Sequence, residues 1–207
     1  MFLLIRSNGT LSGYRYISFA HIFLGQFHFP TEAEKILTSM TDACMEASHF
    51  GILRGGDVLY LRKVSSPQPI RMVSSVGMTI PAYSTAIGKA LLMDMSRSDL
   101  DALYPDGLQP VTPHTITNID VLSHELEAAR SEGFTYEIEE SNEFIRCIGT
   151  PVRKNGRCVA AISVAVPTFR YDDEKAALIR NLLADAAGKL EYLLEKLNIN
   201  LKDLFGT

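Results

Sequence analysis

Ser84 and Thr85 stand directly ahead of Ala86-Ile87-Gly88-Lys89-Ala90-Leu91-Leu92-Met93, a run rich in helix formers, and here the sequence points most clearly to chemistry. Serine and threonine accept hydrogen bonds from first-turn amides, so a helix is expected from about Ala86. Its opening N–H groups have no partner inside the helix and together carry roughly half a positive charge, which suits a small carboxylate or phosphate. The same residues also suit an ordinary capped helix packed in a core. A nucleotide phosphate loop is excluded: it needs glycine five residues before Gly88 and Ser or Thr after Lys89, where the chain has Tyr83 and Ala90.

Other reactive side chains are sparse. Cys44, Cys147 and Cys158 are odd in number and have no CxxC spacing, which argues against a disulfide frame and a zinc site. His21, His28, His49, His114 and His124 show no HxxH or HExxH grouping, so neither a metal nor another cofactor is expected. A thiol enzyme would need Cys147 as nucleophile with His114 or His124 as base, and no Asn or Asp motif marks a third member, so no catalytic residue is assigned. The acids Glu137, Glu139, Glu140 and Glu143 read by default as a solvated rim. Strand alternation nevertheless puts Glu137 and Glu139 on one face and Tyr136 and Ile138 on the other, so one acid is placed to face a pocket.

With 207 residues the chain can hold one large domain, or one domain with a short appendage, and its net charge of -4 gives no electrostatic case for binding nucleic acid or an anionic membrane. No apolar run approaches the ~18 residues of a membrane span, and Met1 to Ile5 is too short for a signal-peptide core. A cytoplasmic protein is expected.

The elements around the Ser84–Met93 stretch follow from turn and cap signals. Phe2 to Ile5 and Tyr14 to Phe19 flank a Ser7-Asn8-Gly9 turn, a hairpin too small to stand alone. Thr31-Glu32-Ala33-Glu34 reads as a capping box behind Pro30, with Ala33, Ile36, Leu37, Met40, Cys44 and Ala47 at helical spacing. Arg54-Gly55-Gly56-Asp57 is a hairpin turn between two apolar runs, and Ile70 to Val73 adds a strand. Ser96 caps a short helix ending near Tyr104, and Asn118 or Asp120 opens another that Gly133 closes. Strands are expected at Phe134–Glu139, Phe144–Val152 and Cys158–Val166, the last two joined by Asn155-Gly156. Asp172 or Asp173 opens a long helix with an apolar stripe from Ile179 to Leu197. Without regular βαβ alternation, this is an α+β domain with helices bracketing an antiparallel sheet.

Many short motifs then fall in one order: Gly88-Lys89-Ala90 with Leu91-Leu92, Thr115-Ile116-Thr117, Leu126 and Arg130, Glu132-Gly133-Phe134, Glu139-Glu140, Ile145-Arg146-Cys147-Ile148, Pro151-Val152-Arg153, Asn155-Gly156, Ala160-Ala161-Ile162-Ser163 and Pro167. In that order they resemble the effector-binding domain of the IclR family of bacterial transcription regulators, from about Pro30 to Leu197. The resemblance implies a GAF- or profilin-like fold with a curved, mainly antiparallel sheet. It implies an effector domain over residues 25–200, with residues 1–24 resembling the end of a winged helix-turn-helix wing and its linker helix. The effector residues it implies are Ala86, Ile87, Glu137, Ile145, Cys147, Ser163 and Ala165.

Two departures shape the expected ligand. Some relatives carry Ser-x-Ser where this chain has Ser163 and Ala165, and Ile87 is bulkier than the small residue of some relatives. A Glu137 carboxylate inside the site would repel a ligand carboxylate unless ligand hydroxyls, water or Arg146 donate to it. The expected effector is therefore a small hydroxylated organic acid or sugar acid. As partners, the resemblance implies a homodimer or homotetramer, and operator DNA contacted only through an N-terminal winged helix-turn-helix that this sequence does not contain. The alternatives are a stand-alone GAF-like binding module and the Cys147 thiol enzyme.

Overall fold

Left-handed backbone turns set the hairpins from which the sheet is built. The computed structural model describes residues 29–69 and 74–199. The hairpin expected within residues 1–24 and the strand expected at 70–73 lie outside these.

Strands β1 (Ala47–Arg54) and β2 (Asp57–Val64) turn at Gly55 and Gly56, with φ of 57° and 93°. After β3 (Thr79–Pro81) and β4 (Thr135–Ile138), strands β5 (Ile145–Lys154) and β6 (Arg157–Pro167) turn at Asn155 and Gly156, with φ of 52° and 75°. Two successive positive φ values make the tight turn whose twist matches the flanking strands, and Asn-Gly adopts it most readily. The sheet order is β3-β2-β1-β6-β5-β4, with every neighbouring pair antiparallel.

Helix α1 (29–44) precedes the sheet, and α2 (Ala86–Leu92), α3 (Arg97–Leu103), α4 (Ile119–Glu132) and α5 (Asp173–Lys196) follow in order. Their ends carry the side chains the sequence suggested. Ser96 forms a capping box with Asp99, Asn118 accepts from Asp120 N and Val121 N, Gly133 closes α4 at φ 79°, and Asp172 accepts from Lys175 N. Thr31 is the exception: the chain is already helical at residue 29, so Thr31 lies inside α1 and does not cap it. Pro30 is itself helical, so it does not mark the boundary.

Period-two alternation divides the strands between two cores. Phe50, Ile52, Ile148, Ile162, Val164 and Val166 pack against α1 and α5, through Leu37 and Met40 on one and Ile179, Leu183, Leu190 and Leu194 on the other. The α5 stripe is thus buried on the chain's own sheet, and only Leu197 at its end is substantially exposed. The opposite face presents Tyr60, Ile145, Cys147, Ala161 and Ala165 to α2, with Leu122 and Leu126 of α4 behind. This is an α+β architecture in which a curved antiparallel sheet carries helices on both faces.

Candidate functional site

All seven residues of α2 are buried, so this short helix is held by its surroundings and not by its own propensity. Thr85 Oγ1 accepts from Gly88 N at 3.0 Å, and Thr85 O from Lys89 N at 2.8 Å. The Ala86 and Ile87 amides are left without a hydrogen-bond partner among the described residues. At the other end of α2, the Arg130 guanidinium of α4 donates to Met93 O and Met95 O, at 2.5 and 2.6 Å. Two glycines allow the seating. A Cβ at Gly149 of β5 would stand 2.6 Å from Ala86 O, and one at Gly88 would strike the Ala82 backbone. Thr135 Oγ1 completes the contact by donating to Ala86 O at 2.6 Å.

The sheet register gathers the residues expected from the sequence on this one side. Glu137 pairs with Cys147, which pairs with Ala165. Ile145 lies two positions before Cys147 on the same face. Ser163 pairs with Gly149 on one side and His49 on the other. With Ala86 and Ile87, all seven are buried, Ile145 the most open at 8% and Glu137 the least at 0%. His49 Nε2 shares a hydrogen bond with Ser74 Oγ at 2.9 Å. His49 and Tyr60, whose rings meet edge-on at 5.3 Å, belong to the same layer and were not singled out from the sequence. Their signal was the alternation of the β1–β2 hairpin, readable only once its facing helix is known.

Glu137 is the unusual group here. Its Oε1 accepts from Glu140 N at 2.7 Å, Ser141 N at 3.0 Å and Ser141 Oγ at 3.4 Å, while its buried Oε2 has no partner among the described residues. Burial raises its pKa above the ordinary carboxylate range, against the opposing pull of Cys147, the two amides and Lys89. Two expectations are corrected. Glu139 does not share the face of Glu137: at φ 61° it turns the chain out of the strand, and Glu140 swings inward instead, 6% exposed. Arg146 is not the balancing cation either, because it lies on the other face with its guanidinium 5.3 Å from the Tyr171 ring centroid. That cation is Lys89, fully buried, which donates to Glu140 Oε1 and Glu125 Oε1 at 2.7 Å each and to Tyr136 O at 3.0 Å.

Cys147 is poorly placed as a nucleophile. Burial, then the neighbouring Glu137 charge, push its thiol well above the ordinary value, so the thiolate is disfavoured. His114 and His124 both sit at exposed positions, apart from this buried layer.

His49 gives a measurable consequence. Burial, with Lys63 adding to it, lowers its pKa from 6.5 to about 3. Between those values the unfolded chain binds a proton that the folded chain does not, so stability is lost as pH falls through that window, by about 1.4 kcal/mol per unit. The stability difference between wild type and His49→Gln, measured by urea unfolding, is expected to shrink from pH 7 to pH 4. A constant difference would show that the imidazole is not held neutral.

The family model "Bacterial transcriptional regulator IclR C-terminal" matches residues 21–192. The chain belongs to this family. Among IclR-type relatives, the HTH-type transcriptional regulator KdgR of Escherichia coli is 34% identical over 148 residues, covering 70% of this chain and 56% of KdgR. The chain thus spans little more than half of that regulator. The crystal structure of Thermotoga maritima IclR superposes with a TM-score of 0.76 at 32% identity, covering 90% of this chain and 75% of that one. The inducer-binding domain of PobR from Acinetobacter, a double mutant in complex with 3-hydroxybenzoic acid, superposes with a TM-score of 0.70 at 25% identity, covering 78% and 97%. The domain is an IclR-type effector-binding domain, and the GAF-like fold expected from the motif order is the one observed.

Proposed function

We propose that this domain binds a small hydroxylated organic acid or sugar acid between the start of α2 and the strand face bearing Glu137, Ile145, Cys147, Ser163 and Ala165. The observation that carries the reading is the pairing of opposite needs in one buried layer. The Ala86 and Ile87 amides call for an acceptor, and Glu137 Oε2 calls for a donor. A ligand with a carboxylate and a hydroxyl satisfies both. A dicarboxylate would set like charges together, and a plain alcohol would leave the amides unmet. The complex of the PobR domain with a hydroxylated aromatic acid supports the same ligand class. The domain spans residues 25–200 in this reading. Within the whole regulator, occupancy shifts the population of subunit arrangements in a homodimer or homotetramer, and so changes operator affinity of a winged helix-turn-helix joined ahead of it, in the cytoplasm.

A thermal-shift screen tests the site. Hydroxy acids, sugar acids and 3-hydroxybenzoate are compared with matched polyols and dicarboxylates. A true effector at a hundred times its Kd stabilises the fold by about 2.7 kcal/mol, a rise of roughly 5–10 °C for a chain of this size. Glu137→Ala should retain the fold and lose the shift. A hit that stabilises both chains equally places the ligand elsewhere.

A further inference from the structure

Besides Glu137, the buried titratable group most fully tied into its surroundings is Lys89, which has no role in the anion and donor pairing described above. Its ammonium joins α2, which carries it, to α4 through Glu125, to β4 through Tyr136 O and to the turn after β4 through Glu140. That turn, residues 139–144, is held open against local preference. Glu139 and Phe144 bound it at φ 61° and 65°, left-handed backbone that residues other than glycine rarely adopt. Thr112 Oγ1 donates to Glu139 O at 2.7 Å, and Thr115 Oγ1 to Glu140 O at 2.7 Å. On the inner side, the amides of Glu140 and Ser141 meet Glu137 Oε1. Glu140 thus faces two ways, with its N–H on Glu137 and its carboxylate on Lys89.

We propose that Lys89 is a positioning residue for effector binding: by anchoring Glu140 it fixes the 139–144 turn so that the Glu140 and Ser141 amides hold Glu137 Oε1 and leave Oε2 free for the ligand. This rests on the reading of Glu137 as the donor-seeking pole. It adds a route out of the site, because any tug on Glu137 passes through the Glu140 amide to Lys89 and from there to Glu125 on α4. The Lys89 charge also opposes the rise that burial imposes on the Glu137 carboxyl. Cys147, Tyr60 and Glu140 are the other titratable groups around it, and all three are neutral or anionic.

Site-resolved hydrogen exchange in the effector-free domain provides the test, with Lys89→Met and the double variant Lys89→Met/Glu140→Gln. In both, the Glu140 and Ser141 amides should exchange at least tenfold faster than in wild type, while Ile148 and Val164 in the sheet keep their relative protection. The Glu137 carboxyl, followed by carbon-13 NMR, should titrate at higher pH in Lys89→Met than in wild type. The double variant separates positioning from a stranded-charge penalty, since it buries no unpaired Glu140 carboxylate. If it restores wild-type exchange at the two amides, or if the single variant leaves them within twofold, Lys89 does not position the turn. Should Lys89→Met not fold, the double variant decides alone. Failure of every organic acid to bind wild type counts against the sensor reading and does not alter these amide rates, so the two ideas fail separately.

Discussion

Gly88→Ala is expected to destabilise the domain by roughly 3 kcal/mol or more, although alanine is the better helix former, because the added methyl has no room. The ideal Cβ falls on the carbonyl and Cα of Ala82, backbone atoms of the 3-10 turn Ala82–Ser84 that feeds directly into Thr85. A flexible side chain could rotate away, but a backbone can yield only if the turn or α2 shifts. Either movement pulls the buried helix from β5, where Gly149 admits it, and from β1, where a Cβ at Gly51 would stand 3.3 Å from Ile87 Cδ1. For a chain of this length the loss is a fall in Tm of about 6–12 °C. Gly188→Ala is the control. Gly188 lies within α5 with nothing within 4 Å of its ideal Cβ, so the same substitution there should stabilise by about 0.5–1 kcal/mol. Equal effects at the two sites would show that α2 is not wedged as described.

Lys89→Ala should cost about 3–5 kcal/mol in urea unfolding, since it strips the cation from a buried carboxylate. Glu140 is 6% exposed and its Oε2 already lacks a partner, so it cannot recover the lost bond from water. Glu125, with its side chain 38% exposed, can turn to solvent and contributes little to the penalty. Replacing both members of the buried pair, as in Lys89→Met/Glu140→Gln, should return most of the stability, because neutral groups of similar volume are often tolerated where a broken pair is not. A single variant as stable as wild type would mean that the Glu140 carboxylate is neutral in the fold.

The parts of the fold legible in the sequence are those governed by local backbone chemistry. Gly55-Gly56 and Asn155-Gly156 announced their hairpins because few other residues accept two positive φ values in succession. Helix starts were legible to within a residue or two, and Thr85, Ser96, Asn118 and Asp172 are the caps among the candidates because their side chains serve amides two or three residues ahead. Strand alternation set Glu137 apart from Tyr136 and Ile138, whereas Cys147, Ser163 and Ala165 came in through the family resemblance, and the register of β4, β5 and β6 brings all four to one face. The inward turn of Glu140 was not legible. Alternation favoured Glu139, and nothing local marked that it would take φ 61° beside a Glu140 held by Thr115 and Lys89, with Thr112 on its own carbonyl, partners 25 to 51 residues away in sequence. Lysine is also among the residues least often buried, and only the fold shows Lys89 held between two carboxylates.

The sheet's split allegiance has a consequence for how such a domain diversifies. One side is filled with branched aliphatics locked between α1 and α5, while the other carries a mixed set including Cys147, Ser163, Ala165 and Glu137 beneath a single short helix. Neighbouring positions on one strand therefore answer to separate selective pressures. For the site proposed above, exchanging residues 145, 147, 163 and 165 would admit a new metabolite while 148, 162, 164 and 166 go on keeping the protein folded, so one scaffold could acquire many chemical tastes by changing every second letter of two strands.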